Sequence, residues 1–165
     1  MRRTLRTTIL ATALTLVAAG QALAGGPTKD PLIQDPVSYG AGEVCVFPLT
    51  IEALDNRAHW LTWPEGTDGS AVIRVGGYYL SRVTNDDTGE SLTVKANGPA
   101  TLVAHSDGAL DIFGRGPSLL VFFPGEPYEG LLLTNGYYRA HLSADDVITE
   151  AEIRGTITNL CDVLD

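Results

Sequence analysis

The chain has 165 residues, 44% of them apolar, and 20 acidic side chains against 11 basic ones give a formal net charge of −9. That length is one domain's worth. An excess of acid without clustered Lys and Arg excludes nucleic acid and anionic membrane surfaces as partners.

Arg2, Arg3 and Arg6 form a positive start, an uncharged apolar run follows from Ile9 to Gly20, and Ala22-Leu23-Ala24 supplies a small-x-small cleavage pattern. This reads as a signal peptide over residues 1–24, too short to anchor in a bilayer core about 30 Å thick. General secretion fits it better than the twin-arginine route that Arg2-Arg3 resembles, because a long-range disulfide does not form before export from a reducing cytosol. Removal of the leader and its three arginines takes the net charge to −12, and no lipid or membrane anchor is expected on the mature chain. The expected location is therefore extracellular, released or held at the cell wall.

Residues 25–42 carry Pro27, Pro31 and Pro36 among several glycines and no apolar period, which predicts an N-terminal arm ahead of a single β domain over 43–165. From there apolar runs alternate with turn signals. Strands are predicted at 44–52, 58–63, 71–75, 78–84, 91–96, 101–105, 110–113, 119–123, 131–134, 137–143 and 148–160. Asp87-Thr88-Gly89, Asn97-Gly98-Pro99, Asp107-Gly108 and Asn135-Gly136 are read as hairpin turns. Leu92, Val94 and Ala96 share one face of their strand, whereas Leu119 to Phe123 is apolar on both faces and predicts a strand covered on both sides. Asp145 to Ile153 is the one stretch with a helical start, and it is read as a short turn leading into the last strand.

Cys45 falls in phase with Phe47, Leu49 and Ile51, and Cys161 in phase with Ile153 and Ile157. In an exported chain these inward phases predict a Cys45–Cys161 disulfide joining the first and last strands. The fold class is accordingly all-β: an antiparallel, barrel-like domain, with a two-sheet β-sandwich as the alternative.

The sequence Cys45-Val46-Phe47-Pro48-Leu49, the stretch Thr84 to Gly89, Leu119 to Pro124 and Asn159 to Leu164 together resemble a group of small secreted β-domain proteins of actinobacteria that has no assigned function. The resemblance implies export and a shared disulfide. No active-site residue carries over from it.

The chain contains no Gly-x-Ser-x-Gly, no His-Glu-x-x-His and no phosphate-binding glycine loop. His59, His105 and His141 lie on separate predicted strands and are read as surface residues rather than metal ligands, and Asp86-Asp87 with Glu90 and Asp145-Asp146 with Glu150 as solvated turns. No cofactor and no metal is expected. Aromatic residues are the stronger lead: Trp60 and Trp63, and the pairs Gly77-Tyr78-Tyr79 and Gly136-Tyr137-Tyr138, in each of which strand alternation buries one ring and exposes the other. The expected ligand-binding residues are Trp60, Trp63, Tyr78 and Tyr137, on a non-enzymatic module for a glycan, a small apolar molecule or an extracellular protein. A small barrel enzyme, hydrolase or isomerase, with carboxylates and histidines is the alternative.

Overall fold

The computed structural model describes residues 26–165, so the leader predicted over 1–24 lies outside the described residues. Among the described residues no helix is long and apolar enough to cross a membrane. Eleven strands run in chain order: β1 (Thr28–Pro31), β2 (Val37–Tyr39), β3 (Leu49–Asn56), β4 (His59–Thr62), β5 (Ala71–Gly76), β6 (Tyr79–Asn85), β7 (Ser91–Lys95), β8 (Ala100–Ala104), β9 (Leu110–Phe122), β10 (Gly130–Leu142) and β11 (Ile148–Asn159). One helical turn, α1 (Leu160–Leu164), ends the fold. All pairings are antiparallel and form a seven-stranded sheet, β1-β4-β5-β8-β9-β10-β11, and a four-stranded sheet, β2-β3-β6-β7.

The all-β class holds, but the barrel does not close. The large sheet ends at β1 and β11, which do not pair with each other. Their sequences suit open edges: β1 carries Lys29, Asp30 and a proline that lacks a donor, and β11 carries Glu150, Glu152 and Arg154. The disulfide forms between Cys45 and Cys161 with Cα atoms 5.3 Å apart, yet neither cysteine is in a strand. Cys45 lies in the bend before β3 and Cys161 in α1. The bridge thus ties the lead-in to the small sheet to the segment leaving the large one.

The segment read as an N-terminal arm pairs with both sheets. β1 pairs with β4 in the large sheet, β2 pairs with β3 in the small one, and Leu32 to Pro36 cross between them. Two hydrogen bonds fix that crossing, from the Leu32 amide to the Ala58 carbonyl (3.0 Å) and from Asn56 Nδ2 to the Leu32 carbonyl (2.6 Å).

The main core joins Val44, Phe47, Leu49 and Ile51 to Val83 and Val94 of the small sheet, Leu131 of β10, and Leu160 and Leu164 of α1. Asn159 caps that turn, its side-chain oxygen accepting from the Cys161 amide, and buried Asn85 donates to the Leu164 carbonyl (2.8 Å). Leu119 and Val121 pack against this core, while Phe122 on the opposite side meets Tyr128 at 5.3 Å between ring centroids. Leu119, Val121 and Phe122 are therefore covered on opposite faces of β9, whereas Phe123, just past the strand, is 46% exposed.

The predicted strands 110–113 and 119–123 merge into β9, and 131–134 and 137–143 merge into β10. Asn135-Gly136 is not a hairpin turn. Gly136 pairs with Gly116 on one side and Gly155 on the other, forming a glycine row across the three longest strands. On its near side both parities of β10 are buried, at Leu131, Leu132 and Thr134. Beyond it alternation returns, with Tyr138 buried and Arg139 exposed.

Candidate functional site

Between the two sheets lies an apolar cleft of about 330 Å³, within the size range of small-molecule sites. Register explains why it is there. Trp60 on β4 faces Val75 on β5, Val75 faces Ala100 on β8, Ala100 faces Gly114 on β9, and Gly114 faces Tyr138 on β10. One cross-strand row thus runs from large through small to large. Ala100 leaves a hollow that Trp60 and Tyr138 flank, and Gly114 gives the Tyr138 ring room to lie against the sheet. The Tyr138 ring lies so close over Gly114 that a Cβ at that position would strike it, an aromatic side chain covering a strand glycine.

The small sheet contributes Ile51 and Tyr79, and the crossing N-terminal segment contributes Leu32, Val37 and Tyr39. The cleft is lined by no carboxylate, imidazole, amine or guanidinium. Burial pushes the phenols of Tyr79 and Tyr138 above their ordinary value, and does the same to Tyr39 with help from nearby Glu43. For Tyr138 the neighbouring Ser118 tempers the effect. All three rings therefore stay neutral and able to donate. Ser118 is only 6% exposed, and its hydroxyl makes no hydrogen bond of good geometry, so the cleft holds one buried polar oxygen with capacity to spare.

Of the expected binding residues, Trp60 lines this cleft, and the other three do not join it. Trp63 lies under the Arg74 guanidinium at 5.0 Å, and Tyr78 lies between Arg57 (4.7 Å) and Lys95 (5.3 Å). Tyr137 is on the opposite side of β10 from Tyr138. In both Tyr-Tyr pairs the second ring is the buried one, at 9% exposure for Tyr79 and 7% for Tyr138. Alternation anticipates that split, but the exposed member is the wrong one to follow into the cleft. Ala100 carries no signal in the sequence, because a hollow over a small residue is visible only through register.

The three histidines separate into two groups. His59 is apart, whereas Asp111 on β9 lies directly opposite His141 on β10. One Asp111 oxygen is 2.7 Å from His141 Nδ1 and the other 2.8 Å from His105 Nε2. A carboxylate only accepts, so each imidazole carries its proton on the nitrogen facing Asp111. The hydrogen bonds from His141 and then His105 hold the Asp111 carboxyl below the usual carboxylate range. Among the described residues no hydroxyl hydrogen-bonds either ring, and no group of three His, Cys, Asp or Glu is placed to hold a metal ion.

A depressed carboxyl stabilises the fold above its ordinary titration range, and that contribution is lost as pH falls through the lower folded value. Asp111→Asn should therefore lower the melting temperature at neutral pH, by an amount that shrinks as the pH drops from about 4 to about 2. Paired melting curves across that range test this, and a difference that stays constant with pH would contradict it.

Compared with family models, curated proteins and solved structures, the chain matches none of them.

Proposed function

We propose that the protein is an exported, non-enzymatic binding module that holds a small, largely apolar molecule between its two sheets. The observation that carries this reading is the cleft itself, flanked by Trp60 and Tyr138 and lined by no carboxylate, imidazole, amine or guanidinium. Apolar walls with very few polar groups are the usual make-up of a small-molecule site, and the spare capacity of Ser118 suits a ligand bearing one hydroxyl or carbonyl. The leader pattern and the disulfide support an extracellular setting.

A catalytic reading would rest on His105, Asp111 and His141. That cluster is half-exposed on the outer side of the large sheet and shares no lining residue with the cleft.

The test uses the neutral apolar fluorophore N-phenyl-1-naphthylamine, titrated into the folded protein while Trp60 emission and probe emission are followed. Saturable binding is expected. Ala100→Phe, which places a ring in the hollow between Trp60 and Tyr138, should weaken it at least about tenfold without lowering the melting temperature. Unsaturable binding, or unchanged affinity in a folded Ala100→Phe protein, would remove the cleft as the site.

A further inference from the structure

The outward side of the large sheet carries a pattern that its acidic sequence does not advertise. Tyr137 pairs with Arg115 on one side and Arg154 on the other, so an Arg-Tyr-Arg row crosses β9, β10 and β11. The next row on the same face places Arg139 between Phe113 and Glu152, and it continues through Thr101 to Arg74. Four of the eight basic residues beyond the leader therefore share one sheet face. Among the described residues Arg115 and Arg74 have no carboxylate partner, and Glu152 is shared by Arg139 (2.9 Å) and Arg154 (2.6 Å). A hollow of about 500 Å³ is lined by Arg115, Tyr137, Arg139, Glu152 and Arg154.

We propose that this face is a second binding site, for a short anionic glycan, in which Tyr137 stacks on a sugar ring and Arg115 and Arg154 take its carboxylate or phosphate groups. Strands about 4.8 Å apart set the two guanidiniums roughly 10 Å from each other at the backbone, one on each side of the tyrosine. Guanidinium forks bind carboxylate and phosphate through paired hydrogen bonds. Among the described residues the fork of Arg115 has no carboxylate partner, while Arg154, whose Nε and Nη2 meet Glu152, offers its remaining nitrogen and its charge. Arg115 and Tyr137 lie on β9 and β10, whose backbone groups are paired across both neighbours, while Arg154 lies on the edge strand β11. A peptide strand adding at the β11 edge would lie beside Arg154 and leave Tyr137 and Arg115 uncovered, whereas a ring bearing an anion can sit across all three side chains. Net negative charge does not forbid this. At physiological ionic strength fields decay over about 8 Å, and the acid within the patch, Glu152, is already paired.

The mature protein should bind polygalacturonate or a poly(glycerol phosphate) and not neutral dextran, with affinity falling as salt is raised. Which polymer binds identifies carboxylate or phosphate as the natural anion, and binding of both supports the shared chemistry. Arg115→Gln with Arg154→Gln, and separately Tyr137→Ala, should weaken binding at least about tenfold with the melting temperature preserved. Ala100→Phe should leave it unchanged, which separates this site from the cleft. Failure to bind either polyanion, undiminished binding by the folded double variant, or equally tight binding of poly-glutamate would overturn the proposal.

Discussion

Breaking the Cys45–Cys161 bridge, by reduction or by replacing both cysteines with alanine, is expected to lower the melting temperature by more than about 10 °C. The bridge spans a sequence separation of 116 residues. Releasing a loop of that length returns conformational entropy to the unfolded chain, on the order of 4 to 5 kcal/mol in the chain-entropy account. A second contribution is local. Cys45 is 5% exposed within the main core, and the helical turn that carries Cys161 buries Leu160 and Leu164 against the same cluster. With the bridge cut, α1 is retained by its Asn159 cap, those two leucines, the hydrogen bond from Asn85 and its contact with β10. Amide exchange should therefore rise first around α1 and the 40–48 segment, before the sheets open. Thermal melts with and without reductant, alongside an intact mass two hydrogens lighter in the oxidised form, test this. Equal melting temperatures for the oxidised and reduced protein would show that the bridge constrains little.

That bridge also illustrates how far the sequence is legible. Side-chain phase alone placed Cys45 with Phe47, Leu49 and Ile51, and all four are in the core. The assumption of a strand at Cys45 was nevertheless wrong, because Pro48 lacks a donor and the ladder begins at Leu49. At the other end, Ile157 was expected to share the inward face of Cys161 and is 43% exposed. Asn159 ends the strand and caps a helical turn, so no strand phase extends to Cys161. Over 25–42 the pattern is ambiguous for a related reason. Prolines and glycines without period describe edge strands as well as free chain, since an edge needs neither a full set of donors nor two buried faces. Asp111 has no local signature, because its meaning comes from standing across from His141, a partner 30 residues away. Strand existence follows from local pattern, whereas the cleft and the arginine row are properties of register.

The glycine row is where register matters most, and Gly155→Ala should be among the most destabilising single substitutions, at about 2 to 5 kcal/mol. Gly155 has φ +130°, and a Cβ there would run into the Asn135 carbonyl oxygen and approach Gly136 Cα at 2.9 Å. Gly136 faces the reciprocal conflict with the Arg154 carbonyl oxygen. Two effects therefore add: a backbone conformation that side chains rarely adopt, and overlap with the main chain, which cannot step aside as a flexible side chain would. Gly125→Ala separates them. Gly125 also has positive φ (+89°), but a Cβ there meets nothing within 4 Å, so only the conformational cost remains, about 1 to 2 kcal/mol. Denaturant unfolding of both variants measures the difference, and equal losses would mean that close approach across the row is unimportant. Arg115, Tyr137 and Arg154 each neighbour a glycine of this row in sequence, so their alignment depends on three backbones passing close together. Gly155→Ala should accordingly weaken polyanion binding even under conditions where the variant is fully folded, while Gly125→Ala should not.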